Sequence, residues 1–128
     1  MNTRFYLAIG AIAAAGCLSG PAQAEHWDVI ASEMTGDCTV AEYLQIVDDF
    51  NVWAKDYGYS AKVAMPIQAD DVDTFFWVGS SANAATFGAA WDAYRDAQAD
   101  PDSEPAKLQV RFDKCAENES RSGYDVYN

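Results

Sequence analysis

An α+β fold, in which a four-stranded antiparallel sheet packs against helices, is what this sequence predicts, and three observations carry that expectation. Tyr59 to Gln68 alternates apolar and polar residues, and Thr74 to Gly79 is a short, largely apolar run, as strands are. Thr39 to Tyr57 and Ala82 to Gln98 instead repeat large apolar side chains at spacings of three and four, as half-buried helices do. Cys38 then falls just after the first expected strand, and a bridge from it to Cys115 near the end of the chain would close most of the domain.

Residues 1–24 read as a secretory signal peptide and are set apart from the fold. Arg4 supplies the charged start, Phe5 to Ala15 an apolar core too short to span a bilayer, and Ala22-Gln23-Ala24 the small-x-small site before Glu25. The alternative is a lipoprotein signal ending at Cys17, which Ala14-Ala15-Gly16 fits loosely. The expected location is therefore periplasmic or secreted, with lipid anchoring at Cys17 as the other option. The remaining residues, 25–128, suffice for one domain with a modest core. In an oxidising compartment the two cysteines left to that domain are expected to pair, the alternative being two buried thiols.

Losing Arg4 reduces 8 basic side chains to 7 against 20 acidic ones, a net charge of −13. Such a surface repels phosphate backbones and anionic headgroups, so neither nucleic acid nor a membrane surface is an expected partner.

Taken in order, His26 to Met34 is the first strand, with Trp27, Val29 and Ala31 on one side and Ile30 among polar residues on the other. Gly36-Asp37 breaks it. Thr39 and Glu42 form a capping-box pair, and Tyr43, Ile46, Val47, Phe50, Trp53, Ala54 and Tyr57 make one helical face that Gly58 ends. The strand from Tyr59 contains Pro66, which cannot donate to a ladder and places it at an edge or an end. After Thr74 to Gly79, Ser80 or Ser81 is the expected cap of a helix whose stripe is Ala84, Phe87, Gly88, Trp91 and Tyr94.

The last part allows two readings. Lys107 to Asp113 alternates like a strand, yet Ser103 before Glu104-Pro105 starts a helix well, and Leu108, Phe112 and Cys115 keep helical spacing. The order strand, helix, strand, strand, helix, strand is that of a ferredoxin-like βαββαβ fold, in which the first and last strands are antiparallel neighbours. A Cys38–Cys115 bridge then requires Cys115 immediately before the last strand, which favours an extra helix over 103–116 and a last strand over 119–127. The two halves share the sequence of strand, small-residue turn and aromatic helix.

On this element order, and on FFWVG followed by an aromatic helix, the chain resembles the dimeric α/β-barrel group of ferredoxin-like proteins. That group includes cofactor-independent oxygenases, haem-degrading enzymes and haem proteins, so the resemblance implies a sheet-to-sheet homodimer but no single activity. The haem-degrading branch uses a strand Trp with an Asn and a helix His. Trp77 matches the first, but 82–98 contains no His. His26 is the only histidine, which removes most metal and triad chemistry, and no cofactor is expected. The carboxylates Asp70, Asp71, Asp73 and Asp100, Asp102, Glu104 do not continue into calcium loops and read as solvated turns.

The face of the sheet away from the helices must also be covered. Either Phe75 and Trp77 or Phe76 and Val78 point there, which implies a dimer or a ligand. The candidate ligand-pocket residues are Trp77, Arg121, Tyr124 and His26, with no catalytic residue assigned. The expectation is an exported, disulfide-stapled, dimeric binding or structural module. The alternative is a cofactor-independent oxygenase or isomerase that acts on a small apolar or aromatic compound between sheet and helices.

Overall fold

Residues 24–128 are described by a computed structural model; the expected signal segment, Cys17 included, lies outside the described residues apart from Ala24. The elements run β1 (Glu25–Met34), α1 (Val40–Ala54), a 3₁₀ turn (Lys55–Tyr57), β2 (Tyr59–Ala64), β3 (Thr74–Ser81), α2 (Ala84–Ala97), α3 (Glu104–Cys115) and β4 (Ala116–Val126). The sheet order is β2-β3-β1-β4 with every neighbouring pair antiparallel. This is the ferredoxin-like α+β arrangement, with α3 as the additional helix before the last strand.

Local chemistry explains the boundaries. Thr39 and Glu42 close the capping box at the start of α1, each bonding the other's backbone N–H. Gly58, at φ 69°, takes the left-handed conformation that lets the chain turn straight from the 3₁₀ turn into β2. β2 stops at Ala64 rather than Gln68, because Pro66 cannot extend the ladder and Ile67 is fully in solvent. Asn83, not Ser80 or Ser81, caps α2; both serines are still in β3, paired with β1 and β2. Ser103 caps α3 with Pro105 in its first turn. β4 begins at Ala116 rather than Glu119, since the Cys115 carbonyl already accepts from the Thr35 N–H at 2.9 Å.

Cys38 and Cys115 are disulfide-bonded with Cα atoms 5.0 Å apart. The bridge ties the loop before α1 to the junction of α3 and β4.

The core lies between one face of the sheet and the helices. Phe75 and Trp77 point into it, as do Tyr59, Ala61 and, from α1, Tyr43, Ile46, Val47 and Phe50. The side of β1 that turns inward is not the apolar one. Asp28 and Ser32 are buried there beside Ile30, while Trp27, Val29 and Ala31 face outward. Their cross-strand neighbours Phe76, Val78 and Tyr124 share that outer face, so an apolar strip runs across the sheet on the side without helices.

Candidate functional site: a polar chain in an aromatic cavity

Between the sheet and the helices is a cavity of about 160 Å³, walled chiefly by aromatic rings. Trp77 comes from β3, Phe50 and Trp53 from α1, Trp91 and Tyr94 from α2, and Phe112 from α3. The rings hold one another edge-on: Phe50 meets Trp77 at 4.9 Å and Tyr94 at 5.6 Å between centroids, and Trp77 meets Phe112 at 5.5 Å. Such T-shaped contacts fix ring orientation, so this wall is built to keep its shape.

Its floor carries a continuous chain of polar contacts. The Trp77 Nε1–H donates to the Tyr59 hydroxyl at 2.7 Å, and that hydroxyl donates to Asp28 Oδ2 at 3.0 Å. Arg121 then grips Asp28 with two parallel bonds, Nε to Oδ1 and Nη2 to Oδ2, both 2.7 Å. Asp28 is 2 % exposed, a burial that a carboxylate tolerates only with such pairing. The guanidinium also lies over the Trp91 ring, 4.1 Å from its centroid, in cation–π contact. Burial first, and then the Asp28 charge, push the Tyr59 hydroxyl far above its ordinary value, so it stays protonated as the donor. Burial alone pushes Tyr43, on the same wall, up to about 12.

Gly79 is what allows Tyr59 to sit here. A Cβ at residue 79 would stand 1.8 Å from the Tyr59 hydroxyl oxygen, so only glycine leaves room for the ring beneath β3.

Arg121 reaches the floor because of an irregularity in β4. Ser32 pairs with Asn118 and Ala31 with Ser120, which leaves Glu119 as an extra residue in a bulge. Simple alternation would send Asn118 and Arg121, three apart, to opposite faces. The bulge brings both inward, where they line the cavity and Asn118 accepts from the Ser32 hydroxyl at 2.9 Å.

Of the residues expected at the site, Trp77 and Arg121 are brought together on this floor. Tyr124 is not: it pairs with Trp27 on the outer face and is half exposed. Being three positions from Arg121 with no second bulge between them, it must point the other way. His26 also stands apart, its ring packed on Phe87 at 4.7 Å and its Nδ1 3.5 Å from Asp125 Oδ1. Among the described residues no group of three or more His, Cys, Asp or Glu side chains is placed to hold a metal ion. Asp28, Tyr59 and Trp91, which complete the chain, show in the sequence only as strand or helix-stripe positions. Asp28 did leave one signal, a carboxylate in mid-strand on the same parity as Ile30.

Solved structures share this architecture. SnoaB, a cofactor-independent oxygenase from Streptomyces nogalater, superposes over 82% of this chain and 95% of its own, with a TM-score of 0.56 and 11% identity. The hydroxynitrile lyase from Passiflora edulis covers 84% and 96%, with a TM-score of 0.54 and 14% identity. The structural-genomics protein YJCS covers 80% and 99%, with a TM-score of 0.51 and 8% identity. The likeness is one of fold. No family model and no curated protein matches the sequence. The resemblance to dimeric α/β-barrel proteins therefore holds at the level of architecture, and function has to be argued from the cavity.

Proposed function

We propose that this protein is an exported, disulfide-stapled homodimer that binds a small aromatic or apolar compound in the cavity between sheet and helices. The observation that carries the reading is the cavity itself: about 160 Å³ of space lined by edge-packed rings, with the buried Asp28 held by a partly exposed Arg121 on its floor. An apolar wall with a few convergent polar groups is the usual make-up of a small-molecule site. Dimerisation is supported by the apolar strip of Trp27, Phe76 and Tyr124 on the outer face, which a second copy would cover. Export is supported by the leader-like residues 1–24 and by the disulfide.

A second reading, an oxygenase or isomerase working without a cofactor, is favoured by the fold shared with SnoaB and by the aromatic wall. Under it, substrate reactivity and desolvation supply the chemistry, with Trp77 and Arg121 orienting the compound.

Native mass spectrometry of protein recovered from its producing cells tests the first reading. A dimer lacking two hydrogens per chain, starting at Glu25 and carrying non-protein mass, is expected. A bare monomer would overturn the dimer. Oxygen uptake with an electron-rich phenol, abolished in Trp77→Ala, would move the assignment to the enzyme.

A further inference from the structure

We infer that the compound held in the cavity is a neutral, single-ring aromatic bearing an acceptor oxygen, bound through the N–H groups of Arg121 that Asp28 leaves free. The inference rests on the ligand-binding reading above and adds to it a size, a polarity and a charge.

Size comes from the volume. An engineered cavity of about 150 Å³ with an apolar lining holds benzene, and pockets for drug-sized molecules begin at about 300 Å³. At about 160 Å³ this cavity accommodates one ring and a small substituent.

Polarity follows from which hydrogen-bonding groups are already used. The Tyr59 hydroxyl donates to Asp28 and accepts from Trp77. Gln109 accepts from Tyr94 and donates to Asp113. Arg121 has five N–H donors, of which Asp28 takes two, leaving three without a protein partner among the described residues. The Asn118 carbonyl accepts from Ser32, and its amide N–H groups are likewise without one. The floor around Arg121 therefore has donors to spare. The spare acceptors of the lining, the second Asp113 oxygen and the Tyr43 hydroxyl, belong to the α3 and α1 walls, so a ligand seated on the floor is selected for an acceptor.

Charge is decided by the same groups. Asp28 already neutralises Arg121, so an anionic ligand would find no unmatched cation and would meet the Asp113 carboxylate on the cavity lining. A cationic ligand would be drawn to Asp113 on the α3 wall and away from the floor, where it would meet the spare guanidinium N–H groups. A neutral carbonyl or comparable oxygen satisfies the donors without adding an uncompensated charge.

The test is a ligand-observed NMR titration of the oxidised protein with benzamide, benzoate, benzamidine and toluene. The first three share one shape and differ in charge, and toluene lacks the acceptor. Benzamide is expected to bind about tenfold or more tighter than toluene, the value of a hydrogen bond to a charged donor, and tighter than benzoate or benzamidine. Arg121→Met should abolish the difference in affinity between benzamide and toluene. Because that change strands Asp28, the double variant Asp28→Asn/Arg121→Met is measured beside it. Equal binding of toluene and benzamide, or tightest binding of benzoate or of benzamidine, would overturn the inference while leaving the cavity a binding site. Failure of all four to bind would overturn both.

Discussion

Tyr59 joins a tryptophan, a carboxylate and, through that carboxylate, an arginine, so its hydroxyl is where the candidate site is most sensitive to change. Tyr59→Phe removes one hydroxyl and leaves the Trp77 N–H without a partner in a buried place, with Asp28 Oδ2 keeping only its bond from Arg121. The expected cost is about 1–3 kcal/mol, measured as a lower urea midpoint with an unchanged slope. Gly79→Ala acts on the same atom from the other side. Its Cβ cannot coexist with the Tyr59 hydroxyl at 1.8 Å, so the ring must leave its place, at a cost of about 1–3 kcal/mol. A Gly79→Ala protein that kept both wild-type stability and wild-type ligand affinity would show that Tyr59 is not held as described.

Among the elements, β2 owes its stability to a contact that strand pairing does not supply. It is an edge strand, and its outer ladder groups at Ala61 would otherwise have only water as partner. Asn51 on α1 takes both, its Oδ1 accepting from the Ala61 N–H at 2.8 Å and its Nδ2 donating to the Ala61 carbonyl at 2.9 Å. One side chain thereby fixes the helix on the sheet and blocks the edge against pairing with another chain. Asn51→Ala is expected to cost about 1–3 kcal/mol and to expose the amide of Ala61 to exchange, which hydrogen-exchange NMR would register at that residue. On the opposite edge, the bulge at Glu119 has the larger consequence for function. Deleting Glu119 would restore plain alternation, turn Asn118 and the residues before it to the other face relative to Arg121, and break the Ser32–Asn118 bond.

At the scale of the whole molecule, three terms set stability and assembly. The disulfide closes a span of 77 residues, and the loop-entropy estimate for such a span is about 4 kcal/mol. Reduction should therefore lower the unfolding midpoint markedly, and the paired Cys38→Ser/Cys115→Ser variant should reproduce the reduced protein. The buried tyrosines set the alkaline limit. Tyr43, Tyr59 and Tyr94 all have folded values raised chiefly by burial, while in the unfolded chain each ionises near about pH 10. Their contribution is fully present below that value and is lost as pH rises through the folded ones, so stability should fall with pH above about 10. Urea midpoints followed alongside tyrosinate absorbance would show it. In the proposed dimer the outer face is the contact: Phe76→Glu places a charge in the apolar strip and is expected to yield a monomer by light scattering with the fold intact.

The element order, the capping box, the stop at Gly58 and the helical reading of 103–116 were all legible in the sequence. The first three depend on local periodicity or on a terminus signal that neighbouring residues carry themselves, whereas the helix is favoured over a strand because Cys38 and Cys115 have to meet. The direction of the sheet faces was not legible. Alternation in β1 separates Trp27, Val29 and Ala31 from Ile30 and its polar neighbours without deciding which side is buried, and it is the side with Asp28 that turns inward. A buried carboxylate is stable there only because Arg121 and Tyr59, far away in the chain, arrive to pair with it. Their arrival depends on strand register, on a bulge that nothing around Glu119 announces, and on the room left by Gly79. Periodicity is a property of consecutive residues and so determined the elements. The cavity and its polar floor are made by residues from every layer of the fold, and only the tertiary structure decided them.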